Sequence, residues 1–241
     1  MRLLVDTHTH TVVSGHAFST LLENLDFAAK RGLEGIVTSE HSEKVPGVQP
    51  NFTIRIQNCF PKEYNGVRII KGAEVNIMDY SGQVDMKREH LMVPDFVIAS
   101  LHDVTISSGT KMENTQAMIG ALQNPYIDII GHPGNPQFEI DREAVVQEAK
   151  RQNKLLEINN HSFAFRKGSP SICREIIRLC KKHSVRISVG SDAHVCFRVG
   201  YFDEAVEALT DEGFPEELIV SRSMQTFDEY LAERKRRTGS A

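Results

Sequence analysis

A chain of 241 residues has room for one large α/β domain or two small ones, and its 40 % apolar and 25 % charged residues are ordinary globular composition. A net charge of −4 gives no electrostatic case for nucleic acid or an anionic membrane. No run reaches bilayer-spanning length and Met1 leads into a strand pattern rather than a signal peptide, so a cytoplasmic protein is expected.

Seven short apolar runs recur along the chain, at 3–5, 35–37, 67–70, 96–99, 127–130, 155–158 and 187–189, and each predicts a strand. After the first, Thr20 and Glu23 form a capping box, and Leu21, Leu22, Leu25, Ala28 and Ala29 make an apolar stripe that Gly32 ends. The stretch 42–61, with Pro46, Gly47 and Pro50, predicts a long irregular loop overhanging the carboxyl ends of the strands. Residues 80–83 predict a tight hairpin turn after the third run. Asn114 is the expected cap of a helix reaching Leu122. Asp141 caps the next, with Ile140 and Val145 as a hydrophobic staple. Ser169 then reads as an N-cap with Pro170 at the first helical position. That helix buries Ile172, Ile176 and Leu179, and Lys181 and Lys182 suit its negative end. Cys173 and Cys180, seven apart on it, read as structural thiols; with Cys59 and Cys196 they form no CxxC pair and are expected reduced. The basic run 234–237 predicts a solvated helix terminus, and 234–241 a frayed tail.

Strands alternating with helices predict a parallel sheet covered by helices. Seven units with no linker-like composition shift predict one domain, residues 1–241, folded as a distorted, TIM-barrel-like (β/α)7 barrel. In such barrels the reacting groups sit at the carboxyl ends of the strands.

The residues at and just past the end of each run carry the chemistry. The first run ends in His8 and His10, spaced to share one side of a strand, with His16 just beyond. The second ends in His41, the third in Glu74, the fourth in His102, the fifth in His132, and the seventh in Asp192 and His194. Seven of the ten histidines therefore fall at or just past a strand end, which points to a metal site. Nine nitrogen and oxygen ligands exceed one ion's needs and suit about three ions at about three or four ligands each, with a bridging carboxylate such as Glu74. With no thiolate, Zn2+, Mn2+ and Fe2+ are all compatible. His90 and His183 read as surface residues and His161 as lining the pocket rim. Asp6 is expected to face away from His8 if pairing is regular; the other reading has it orienting an imidazole.

His8-Thr9-His10, Ser39-Glu40-His41, Gly72-Ala-Glu74, His102, Gly131-His132-Pro-Gly-Asn-Pro136 and Gly190-Ser-Asp192-Ala-His194 together resemble the polymerase-and-histidinol-phosphatase (PHP) domain. The chain is most similar to the YcdX-like phosphatases of that superfamily. The similarity covers residues 1–213 and extends to Asn114-Thr-Gln-Ala-Met118 and Glu157-Ile-Asn-Asn160. The resemblance implies a distorted seven-stranded barrel with a trinuclear site, usually of zinc. It also implies a division of ligands: His8, His10, Glu74 and Asp192 on one ion, Glu74, His102 and His132 on a second, and His16, His41 and His194 on a third. The family's Thr-Asp-His element is here Ser39-Glu40-His41; the ligand is kept, and the difference concerns what surrounds it.

The expected reaction is hydrolysis of small phosphomonoesters. Clustered divalent ions make a bound water acidic enough to supply hydroxide near neutrality, and they neutralise the phosphoryl oxygens. Glu74, Asp192 and His194 would act in catalysis through the metals. Arg166 and Lys167, just before the helix at Ser169, would add cationic donors for phosphate. For the leaving-group acid, metal-bound water, His194 and His161 remain open. Amidohydrolase-type barrels also open with His-x-His but need only about five ligands. A phosphodiesterase or exonuclease would call for a basic, aromatic-laced groove, which is not evident. A barrel that binds metal without turnover is the reading from another class. The expected partner is a small phosphorylated molecule, with no nucleic acid and no membrane; a homo-oligomer is compatible.

Overall fold

The computed structural model describes residues 1–49 and 52–239; Pro50 and the last two residues of the expected tail lie outside them. Each apolar run becomes a parallel strand: β1 (Val5–Thr9), β2 (Gly35–His41), β4 (Val67–Asn76), β5 (Phe96–Ser100), β6 (Ile129–Ile130), β7 (Leu155–Asn159) and β8 (Ile187–Gly190). The sheet order is β1-β2-β4-β5-β6-β7-β8, and a short strand β3 (Glu63–Tyr64) pairs antiparallel with β4. The helices are α1 (Leu21–Lys30), α2 (Phe52–Arg55), α3 (Arg88–Leu91), α4 (Lys111–Gln123), α5 (Arg142–Gln152), α6 (Asn160–Phe165), α7 (Ser169–His183), α8 (Asp203–Asp211) and α9 (Met224–Thr238). No described helix is long and apolar enough to cross a membrane.

The sheet nearly closes on itself. Between β8 and β1 the Thr9–Ala193 bridge, with His10 N–H donating to Ala193 O at 2.9 Å and Asp192 N–H to His8 O at 2.8 Å, joins the carboxyl ends. At the amino end Ser221 fills the gap, accepting from Leu4 N–H at 3.3 Å and, through its Oγ, from Val189 N–H at 3.0 Å. The expected (β/α)7 barrel is thus present. Strands β2 and β4 run past their apolar runs because pairing continues into polar residues, from Gly35 opposite Arg68 up to His41 opposite Glu74.

Inside the barrel, Val5, Val37, Ile70, Phe96, Ile98, Ile129 and Leu155 form one apolar cluster with Phe227, Tyr230 and Leu231. Helix α9 is therefore the floor of the barrel. The helix terminus expected at 234–237 is present, but the structure corrects its solvation and its fraying: the helix runs to Thr238 and Arg234 is only 3 % exposed. Arg234 Nε donates to Asp128 Oδ2 at 2.7 Å, Arg237 bonds the other carboxylate oxygen, and Tyr230 OH donates to Asp128 O at 2.9 Å. Asp128 is fully buried, and the two guanidiniums occupy its two carboxylate oxygens, which ties the helix end to the start of β6. Around the outside, α1, α4, α5, α7 and α8 bury one face each against the outward residues of the strands.

Most local signals act where expected. Thr20 and Glu23 cap α1, Asp141 Oδ1 accepts from Ala144 N–H at 3.1 Å at the start of α5, and Cys173 and Cys180 are buried thiols. Asp79 builds the turn at 80–83, accepting from Ser81 N–H and Gln83 N–H. Three expectations shift. Leu22 leaves the α1 stripe and is 57 % exposed. Helix α4 is capped by Thr110 with Glu113, and Asn114 lies inside it, bonding Gly109 N–H and Glu139 O. Helix α7 starts one residue early: Gly168, at φ +89°, is the N-cap, so Ser169 is the first helical residue and Pro170 the second.

Candidate metal centre

At the carboxyl end of the barrel the strands deliver their polar termini into one cup. Strand β1 changes register between Asp6 and Thr9. Val5 can therefore face the apolar interior while His8 and His10, of opposite parity, face the cup. Strands β2 and β4 bring His41 and Glu74 side by side, and the segments after β5, β6 and β8 add His102, His132, Asp192 and His194. All nine predicted ligands meet. Glu74 Oε2 lies 3.3, 3.5 and 3.0 Å from nitrogens of His8, His10 and His41. Glu74 Oε1 lies 3.4 and 3.1 Å from those of His102 and His132. Asp192 Oδ1 is 3.4 Å from His10 Nε2, and His16 Nε2, on the exposed side, is 2.9 Å from His194 Nε2.

Residues that the sequence reading passed over hold these rings. Glu157 Oε1 takes His8 Nδ1 at 2.7 Å, and its Oε2 accepts His132 N–H at 2.7 Å. Asn76 Oδ1 takes His102 Nδ1 at 2.7 Å. Ser14 Oγ is 3.0 Å from His10 Nδ1 and donates to Glu40 Oε2 at 2.6 Å, so the glutamate of Ser39-Glu40-His41 steadies His10 through a hydroxyl. His194 Nδ1 is 3.0 Å from Asp192 O. With Nδ1 so engaged, Nε2 of each of these four rings is left for the cup. Asp6 does face away from the His8 ring: its carboxylate accepts backbone N–H groups of His8, Ser191 and Gly200. His132 and Asp192 sit at φ +30° and +54°, a strained setting for residues with a Cβ, at the points where the chain turns these ligands inward. Gly190 has no room for a side chain, since a Cβ would stand 2.5 Å from both Glu157 Oε1 and His8 Cβ.

Electrostatics suit a cation. Burial, then the neighbouring His41 and His194, push His10 well below the ordinary imidazole range. Burial, aided by Arg166, takes His132 down to about 4. Burial works against charge on Glu74 and Asp192 too, but the surrounding imidazoles, His8 foremost, hold both carboxyls well below their usual range. For His8, burial is outweighed by Glu157, Glu74 and Asp192, and its pKa is raised. Anionic oxygens and inward imidazole nitrogens are the donor set of zinc-like divalent ions. His41 Nδ1 is buried without a hydrogen bond despite its closeness to Glu74, which a metal bond would satisfy. Among the described residues three overlapping groups have ligand atoms within 4.8 Å of one another: His8, His10 and Glu74; His41, Glu74 and His102; His10, His41 and His194. The donors fit metal.

The cup opens into a cleft of about 340 Å3, with Val45 and Pro46 of the expected overhanging loop on its rim. Arg166 lines it, its Nη1 donating to Ser162 Oγ at 3.1 Å and its Nη2 3.7 Å from Asp192 Oδ2. Lys167 is exposed and does not line the cleft. His161, on α6, lines a pocket next to it. His183 pairs with Glu143 at the surface end of α7, and His90 lies on α3 away from the cup.

Comparison with known proteins agrees with this geometry. A probable phosphatase of Clostridium botulinum (strain Langeland) is 48 % identical over 231 residues, covering 96 % of this chain and 95 % of that protein. A probable phosphatase of Acetivibrio thermocellus is 46 % identical over 237 residues, 98 % of each chain. The crystal structure of Lactococcus lactis histidinol phosphate phosphatase, complexed with zinc, L-histidinol and phosphate, superposes with a TM-score of 0.67 at 20 % identity, covering 89 % of this chain and 95 % of that one. No family model matches the sequence. With close to half its residues shared over nearly full length with these proteins, the chain belongs to their family of probable phosphatases, and its fold is that of the zinc-bound histidinol phosphate phosphatase.

Proposed function

We propose that the protein is a metal-dependent phosphatase that hydrolyses small phosphomonoesters at a trinuclear site in one barrel domain. The observation that carries the reading is the position of Glu74, whose two oxygens each face a different set of imidazoles. In this reading His8, His10, Glu74 and Asp192 hold one ion, Glu74, His102 and His132 a second, and His16, His41 and His194 a third. Zinc suits the imidazole-rich set best, and Mn2+ and Fe2+ remain compatible. Bound ions there would supply Lewis-acid charge and an acidified water.

The chain's own residues do the rest. Neutral His10 and His132 offer lone pairs rather than protons. Arg166, steadied by Ser162, presents a guanidinium to the phosphoryl oxygens at the cleft wall. Glu157 and Asn76 fix ring orientation, so positioning is built before substrate arrives. A cleft of about 340 Å3 suits a small substrate. Four free cysteines fit a reducing, cytoplasmic setting.

Elemental analysis of purified protein, paired with hydrolysis of p-nitrophenyl phosphate with and without chelator, tests this. About three ions per chain and chelator-sensitive turnover are expected. A single ion per chain, or turnover indifferent to chelator, overturns the trinuclear phosphatase.

A further inference from the structure

Beside the metal cup lies a second hollow of about 160 Å3 that shares Asp192 and His194 with the main cleft and continues past them toward α6 and the segment after β8. Arg198, half-buried, is its cation. The guanidinium carbon sits over the ring of Phe165 at 4.9 Å from its centre and over that of Tyr201 at 4.9 Å, so two aromatic faces hold it at cation–π distance. Among the described residues no carboxylate lies within ion-pair distance of Arg198, in contrast to Arg166, which has Asp192. His161 and Ser191 also line the hollow, and Asn160 is already committed: its Nδ2 donates to Glu204 and its Oδ1 accepts from Ala205 N–H. A guanidinium held between such contacts loses little freedom on binding, and its planar N–H fork can take an oxyanion through two parallel hydrogen bonds.

Resting on the phosphatase reading, we propose that this hollow receives the leaving group and that Arg198 binds a second oxyanion on it. The substrate class is then a small phosphomonoester whose alcohol part carries a carboxylate or a second phosphate a few bonds from the scissile group. Arg198 is a specificity residue in this scheme; the chemistry stays at the metal cup, with Arg166 on the transferred phosphoryl.

The test uses the full chain loaded with zinc and three non-hydrolysable probes in calorimetry: propylphosphonate, 3-phosphonopropionate and propane-1,3-bisphosphonate. At least one of the two probes with a second anion should bind about tenfold or more tightly than propylphosphonate, and whichever gains more tells carboxylate from phosphate. Arg198→Met should erase that gap, and Arg198→Lys should restore part of it. A prop for Phe165 and Tyr201 alone would instead weaken all three probes alike. Equal binding of the three probes by the parent protein, or a gap that survives Arg198→Met, overturns the proposal; should Arg198→Met fail to fold, the parent's preference and Arg198→Lys decide it. Turnover of p-nitrophenyl phosphate is run in parallel. Turnover without a gap defeats the subsite alone, whereas a gap without turnover defeats the phosphatase reading and leaves the subsite standing.

Discussion

Glu74 is the residue on which the cup turns, because it is the one carboxylate placed between the imidazoles of β1 and β2 and those just past β5 and β6. Glu74→Ala should reduce the metal content to about one ion per chain and remove nearly all turnover; a variant that keeps full metal and activity would dismiss the bridge. Glu157 tests a different point, since it touches no other carboxylate and acts through the His8 ring and the His132 backbone. Glu157→Gln should weaken metal affinity roughly 10–100-fold, measured by chelator competition, with the fold intact. The two residues also differ in how legible they are. Glu74 and the histidines stand at strand ends, and period and placement expose them. Glu157 is 149 residues from His8 and reads as one more charge in a strand until β7 and β1 meet across the barrel. Asn76 and the Ser14–Glu40 pair were hidden for the same reason, each lying 26 residues from its partner along the chain.

Elements were legible where local chemistry alone decides them. Capping boxes, turn residues and apolar runs depend on neighbours within a few positions, and the seven strands and several helix starts arise from them. Helix α9 does not, although Phe227, Tyr230 and Leu231 carry a helical apolar spacing that could have marked it as a packing face. Its arginines looked solvated because Asp128, which buries them, lies 106 residues away from Arg234. The floor role predicts large costs for small changes. Phe227→Ala should destabilise the protein by about 3–5 kcal/mol through the cavity left under the strands. Arg234→Met should cost about 3 kcal/mol, near the low end for a broken buried pair because Arg237 still faces Asp128. Urea unfolding with an unchanged slope reads both; effects below about 1 kcal/mol would return α9 to the status of a loosely attached end.

Across the whole molecule, a cup lined with imidazoles ties folding, metal and pH together. His132 is 3 % exposed and is held near 4, against 6.5 for the free side chain. The unfolded chain therefore takes up this proton first as pH falls, so the folded state loses stability between 6.5 and 4 and is unaffected by His132 above that window. His10, His16 and His161 are lowered too, and act in the same direction. His8 acts in a different window: its raised pKa gives a stabilisation that is fully present below 6.5 and is lost as pH rises through the folded value. Since the His8 contribution is already complete below 6.5, the lowered imidazoles set the slope on the acid side, and it is a loss. Metal binding needs the same unprotonated nitrogens, so ions should leave as the pH enters this window. In chelator-stripped protein, thermal unfolding monitored from pH 6.5 to 4 should show Tm falling steadily, with His132 alone accounting for about 3 kcal/mol of the loss. His132→Gln removes that titration and should fall less steeply. If the two profiles run parallel, His132 is not kept neutral by its burial, and the cup does not present it to metal as a ready ligand.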